Sequence, residues 1–205
     1  MSSLLPLFLK LGGRAVLVVG AGEIASRKVE ELLGVGAVVT VVSPAVAPPI
    51  AEAARQGRLR LVERAFERGD VDGAWLVVAC TGDTDVQRGV AAACDAARVF
   101  CVAVDDPSNA SAYFGSVLRR PPVVVAMSSS GEAPALTRLM REVFEAALPP
   151  ASWVEAAKAL REAWKRDGTP MSARFPALLR ALGAESRRDD APVDDVPDDE
   201  QRGRG

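Results

Sequence analysis

Gly20, Ala21, Gly22, Glu23, Ile24 and Ala25 follow directly on the apolar run of residues 16–19 and spell G-x-G-x-x-A. That spacing suits the pyrophosphate of a dinucleotide. The first glycine permits a tight turn out of a strand, the second admits the ligand to bare backbone, and the small third residue lets the following helix pack closely on the sheet. The free N–H groups and positive dipole end of that helix would then meet the phosphates. Further residues with chemistry to offer stand just after other apolar runs: Ser43, Pro44 and Ala45 after residues 38–42, Thr81 and Asp83 after residues 75–80, and Asp105 after residues 100–104. Cations that could hold an anionic ligand are paired, as Arg119 with Arg120 and as Arg138 with Arg141, the latter three apart on one helix face. Ser129 lies in a serine- and glycine-rich turn that could bind an anion or simply cap a helix.

The elements that must position these residues can be read from periodicity. Ala25, Val29, Leu32 and Leu33 share one helical face, which Gly34 and Gly36 can end. The runs at 38–42, 75–80 and 100–104 are short, apolar and rich in β-branched residues, as expected of parallel strands covered on both faces. Residues 59–63 alternate like a strand nearer the sheet edge, after a short helix over residues 49–56. Thr81 or Asp83 can cap the helix that carries Val86, Val90 and Cys94. Strands alternating with helices predict an α/β, Rossmann-like, doubly wound parallel sheet, whose ligands gather at the carboxyl ends of its strands.

Beyond Pro107 the pattern changes. Residues 113–118 and 123–127 read as two strands, with Arg119, Arg120, Pro121 and Pro122 at the turn between them. An amphipathic helix follows, with Leu136, Leu139, Met140, Val143 and Phe144 directed inward. Two further stripes, Trp153, Ala157, Leu160 and Trp164, then Phe175, Leu178, Leu179 and Leu182, read as helical packing faces.

Composition removes several function classes. The chain has 205 residues, 49% of them hydrophobic, with no run of membrane length and no basic leader, so a cytoplasmic, membrane-free protein is expected. It contains no histidine, which excludes a Ser-His-Asp triad and gives no indication of a protein-held metal. Cys80, Cys94 and Cys101 lack metal or disulfide spacing and read as buried, unreactive thiols. The net charge is −2, but residues 184–205 hold eight acids against four arginines, leaving a slightly positive body. Nothing there argues for nucleic acid, whereas an anionic small molecule would fit. The acidic tail reads as disordered.

Three separated stretches, LPLFLKLGGRAVLVVGAGEIASRKVEELL, FCVAVDDP and MSSSGEAPALTRLMRE, make residues 4–148 resemble the precorrin-2 dehydrogenase family, which includes the N-terminal part of siroheme synthase. The resemblance implies NAD-dependent oxidation of precorrin-2 to sirohydrochlorin, and in many relatives insertion of ferrous iron to give siroheme. It implies a nucleotide-binding domain over residues 1–113, a dimerisation segment of mixed α and β structure over 114–148 through which two chains form a homodimer, and a small helical domain over 149–183. Carried over by position, it assigns cofactor contacts to Gly20, Ala21, Gly22, Glu23, Ile24, Ser43, Pro44 and Ala45, and the catalytic carboxylate to Asp105; Thr81 is a further cofactor candidate from its place after a strand. Ser129 falls on a serine that carries phosphate in some relatives, although Ser130 and Gly131 stand where relatives often have two glycines. The anionic tetrapyrrole needs cations, for which Arg119, Arg120, Arg138 and Arg141 are the candidates. Ser43 replaces the acid usual at the end of the second strand, and no arginine lies beside it, so NAD is expected over NADP with modest discrimination. Two readings compete with the dehydrogenase: a dinucleotide-sensing binding module on the same fold, and a chelatase with a vestigial nucleotide site.

Overall fold

The computed structural model describes residues 4–104, 106–130, 132–148 and 150–183. Two compact units divide it, Met1–Ser116 with Ala126–Arg138, and Val117–Val125 with Leu139–Gly205.

The first unit is built on five parallel strands, β1 (Ala15–Val19), β2 (Val38–Val42), β3 (Arg60–Val62), β4 (Leu76–Ala79) and β5 (Phe100–Ala103), in the order β3-β2-β1-β4-β5. Alternation along each strand sends successive side chains to opposite faces, and both faces are covered. Val16, Val18, Val39 and Val41 pack with Ala25, Val29 and Leu32 of helix α1 (Glu23–Gly34) and with Ile50 and Ala53 of α2 (Pro48–Arg55). Leu17, Val19, Val42, Val77 and Ala79 pack with Val71 and with Val90, Ala93 and Cys94 of α3 (Thr84–Ala97). Each fully buried valine contributes about 1.5 kcal/mol or more, so this two-sided core fixes the sheet.

Local signals set the boundaries. Helix α1 ends in a Schellman arrangement, with Ala37 N–H on Leu32 and Gly36 N–H on Leu33, and Gly36 takes the left-handed conformation at φ +77°. Asp83 caps α3 by accepting from the N–H groups of Asp85 and Val86, whereas the Thr81 hydroxyl accepts from Asp83 N–H. A 3-10 turn at Arg68–Val71 is fixed by Asp70, whose carboxylate receives a forked pair of bonds from Arg64 that holds it below the usual carboxylate range. Cys94 and Cys101 are buried as expected, and contact with the Cys101 thiol, together with burial, pushes the Cys94 thiol up. Cys80, expected to be buried, is half-buried, because it stands at the open end of β4.

The second β pair differs from the sequence reading. Strand β6 runs Ser116–Arg120 and β7 Val123–Met127, so Arg119 and Arg120 lie within a strand and Pro121 with Pro122 alone makes the turn. The start is displaced because residues 111 and 112 are still tied to β5, both donating to the Cys101 carbonyl, and Tyr113 reaches back to Pro107. Proline lacks an N–H for the ladder, which places the two prolines in the turn.

Helices α4 (Pro134–Ala147), α5 (Ala151–Arg166) and α6 (Met171–Ala181) complete the described residues. The apolar face of α4 is not inward: Leu136, Leu139, Met140, Val143 and Phe144 are exposed in the single chain. Phe175 is also exposed, while Trp153, Ala157, Leu160, Trp164, Leu178, Leu179 and Leu182 are half-buried. The described residues leave the α4 face largely uncovered, so patterning alone misplaced it.

Candidate functional site

Strand register brings the ends of the strands that lead to the expected site residues to one level. Val19 pairs with Val42 on one side and Ala79 on the other, and Ala79 pairs with Ala103. The residues that follow, Gly20, Ser43, Cys80 and Val104, therefore leave the sheet at the same level. The strand order reverses between β1 and β4, which is where such sheets hold ligands.

Gly20 sits at φ +100°, and a Cβ there would stand 2.5 Å from the Cys80 oxygen and 3.2 Å from the Thr81 nitrogen. The glycine turn is thus pressed against the β4 loop. A Cβ on Gly22, by contrast, would meet nothing within 4 Å. The protein itself does not need glycine at 22, so its open backbone is available to a ligand. Gly22 occupies the N-cap of α1 without any side-chain cap bond, unlike Asp83 at the start of α3. These features fit a dinucleotide: a bare turn, an uncapped helix end and an unobstructed approach. Ala21 is buried and offers backbone only, with its carbonyl receiving Ala47 N–H, while Glu23 and Ile24 are exposed on the first turn.

That bond from Ala47 ties the loop after β2 to the glycine turn. Ser43 is buried, and its hydroxyl donates to the Ala45 carbonyl at 2.7 Å. The side chain at the end of β2 is therefore spent on its own loop, which leaves Pro44 and Ala45 as the outward surface there. Thr81 keeps a hydroxyl proton to donate, since its oxygen serves Asp83.

Asp105 lies outside the described residues. Its neighbour Val104 is fixed on both sides, donating to Ala79 O at 3.0 Å and accepting from Gln87 Nε2 at 3.1 Å. Asp106 accepts from Ser108 Oγ and Asn109 Nδ2, both at 2.6 Å, and those bonds hold its carboxyl below the usual range. Its oxygens are engaged in shaping the 3-10 turn Pro107–Asn109.

Ser129 caps the turn before α4: its Oγ accepts from Ala133 N–H and from the Thr137 hydroxyl, while Ser128 Oγ accepts from Ser130 N–H. Gly131 lies outside the described residues. Arg138 is exposed on the same helix, in the first unit. In the second unit, Arg119 is exposed on β6, and Arg141 pairs with Glu145 at 3.4 Å. Arg120 was expected at a turn and open to a ligand; instead its guanidinium braces the end of α4, donating to Leu148 O and Glu145 O. Helix carbonyls at a C-terminus lack intrahelical partners, which is what a forked cation there supplies.

Gln87 was missed. It stands on the same helical stripe as Val90 and Cys94, and a polar residue at a core position was the available signal. A separate cavity of about 240 Å³, lined by Arg88, Ala92, Asp95, Cys101 and Asn109 among others, includes none of the expected cofactor residues. Among the described residues no group of acids and cysteines could hold a metal, and no helix is long and apolar enough to cross a membrane.

Residues 7–116 match the family described as "Putative NAD(P)-binding". The chain belongs to that family. It is 46% identical over 145 residues to siroheme synthase 2 of Cronobacter sakazakii, covering 71% of this chain and 32% of the relative. Siroheme synthase 3 of Aeromonas hydrophila subsp. hydrophila is 42% identical over 183 residues, 88% of this chain and 39% of the relative. The chain thus spans about a third of the length of the curated relatives it matches. In fold it is similar to the solved structure of "SirC, precorrin-2 dehydrogenase", with TM-score 0.71 and 24% identity over 90% of this chain and 92% of that one. The family resemblance and the Rossmann-like α/β sheet read from the sequence are both borne out. As a member of an NAD(P)-binding family, the chain takes a nicotinamide dinucleotide as cofactor.

Proposed function

We propose that the chain oxidises precorrin-2 to sirohydrochlorin with NAD. The observation that carries this reading is the level row of strand ends, with an uncapped helix and an open Gly22 at the topological switch. Relatives named siroheme synthase supply the substrate class.

In this reading Gly20, Gly22 and the N-terminal turn of α1 hold the pyrophosphate, with Glu23 and Ile24 beside it. Ala21, Ser43, Pro44 and Ala45 shape the floor for the adenosine half, and Thr81 donates from the β4 loop. Bound NAD supplies a hydride acceptor. The substrate loses two hydrogens in all, one as hydride from a saturated bridge carbon and one as a proton from a ring nitrogen. Asp105 receives that proton, because a chain without histidine has a carboxylate, ionised at neutral pH, as its available base at the strand ends. Asp106 is the rival carboxylate, but its oxygens are already occupied by Ser108 and Asn109. Arg119, Arg138 and Arg141 are the proposed cations for the substrate carboxylates, with Arg120 a brace and Ser129 a cap that a substrate could also reach.

We further infer a homodimer with its boundaries near residues 114 and 148. The exposed apolar face of α4 and the outer edges of the two-stranded β6–β7 sheet support it, since a second copy of the same surfaces would cover both.

Incubating the purified protein with precorrin-2 and NAD, while following nicotinamide absorbance, tests the reading. Reduced nicotinamide should accumulate with sirohydrochlorin. Tight NAD binding without turnover would instead favour a sensing module. Ferrous iron added after oxidation tests the chelatase activity seen as a family trait, in which the same carboxylate would take protons from the pyrrole nitrogens.

A further inference from the structure

We propose that Gln87 is a positioning residue for this reaction: its buried side-chain amide, donating to the Val104 carbonyl, fixes the strand end from which Asp105 follows. The inference rests on the reading of Asp105 as the proton acceptor.

In a parallel ladder a residue offers its N–H and its carbonyl to the same neighbouring strand. Val104 N–H donates to Ala79 O of β4, so its carbonyl also faces that side. Strand β4 ends at Ala79, however, and the chain turns away into the Thr81 loop. The next rung has no strand donor. Gln87 supplies one from α3, with Nε2 at 3.1 Å from the Val104 oxygen. Gln87 is only 5% exposed, among Val90, Ala93 and Cys94 on the buried side of the helix. An amide in that place is costly unless it is bonded, and an apolar side chain would fill the space without the cost. What the amide adds is the hold on Val104.

The same N-terminal turn of α3 is also tied to the cofactor side. Gln87 N–H donates to Asp83 O, and Asp83 N–H donates to the Thr81 hydroxyl. One chain of bonds therefore runs from the loop pressed on Gly20 to the end of β5. The loop proposed to touch cofactor and the residue preceding the proposed base share a rigid mount, and errors of an ångström between reacting groups cost rate heavily.

Gln87→Met keeps length and lacks a branch but has no donor. Its kcat for precorrin-2 oxidation should fall about tenfold to a hundredfold, while the dissociation constant for NAD stays within about twofold and the protein remains folded. Gln87→Glu keeps the shape and decides the matter if the methionine variant does not fold. Its carboxyl can donate to Val104 only when protonated, so its kcat relative to the parent should climb as pH falls from about 8 to about 6. A folded variant with parental kcat and a pH-independent ratio overturns the proposal, as does a loss confined to NAD affinity. Asp105→Asn is measured alongside. If it is inactive while both Gln87 variants match the parent, the positioning role alone fails; if it retains the parental rate, the proton-acceptor reading fails and takes this inference with it.

Discussion

A Cβ on Gly20 would stand 2.5 Å from the carbonyl oxygen of Cys80, so the glycine turn and the β4 loop touch backbone to backbone. The backbone at Gly20 is also left-handed, at φ +100°. Gly20→Ala meets both penalties and should cost about 2 kcal/mol or more of stability. Gly22→Ala meets open space at an ordinary φ of −82°, so it should leave the thermal midpoint almost unchanged and weaken NAD binding instead. Thermal melts and a binding titration on the two variants check this. Equal destabilisation by both would show that Gly22 serves the fold and not the cofactor.

Asp105 and Asp106 are adjacent carboxylates with different expected roles. Asp105→Asn should bind NAD and turn over roughly 10²- to 10⁴-fold more slowly, the usual cost of a lost general base. Asp106→Asn keeps one acceptor oxygen for Ser108 or Asn109 and should stay within a few-fold of the parent. Steady-state rates for the pair decide, and the reverse ranking would move the base to Asp106.

Cofactor choice turns on Ser43. Its hydroxyl is used within its own loop, so the end of β2 presents neither an acid to repel a 2′-phosphate nor a cation to hold one. Initial rates should favour NAD over NADP by a modest margin, and a clear preference for NADP would refute the assignment.

The substrate cations are separable from the brace. Arg138→Ala and Arg141→Ala should each raise the KM for precorrin-2 with little change in kcat, as expected when binding is lost equally from ground and transition states. Arg120→Ala should act on stability, because it leaves the Leu148 and Glu145 carbonyls without that donor. An unchanged KM in both of the first two variants would mean that other groups meet the substrate.

The exposed face of α4 predicts assembly. Light scattering should report a dimer for the parent and a monomer for the double variant Leu139→Glu with Val143→Glu, since two carboxylates would be forced into an apolar interface. A parent that is monomeric at working concentrations ends the proposal.

The sequence by itself determined the sheet and its cofactor end. Continuous apolar strands, a G-x-G-x-x-A turn and short helices are patterned to bury both faces of a sheet, and counting residues gives the strand ends before Gly20 and Ser43 and comes within one residue of those at Ala79 and Ala103. Those features are local, so local pattern suffices. Tertiary structure decided the rest, because it depends on which groups meet across the chain. Periodicity assigned Leu139 and Val143 to a core, but amphipathicity records only that a face is apolar and not whether this chain supplies its cover. Arg120 looked like a turn cation until the end of α4 came within its reach. Gln87 looked like one more helical residue, and its bond to Val104, seventeen positions away, exists only once α3 is laid on β5.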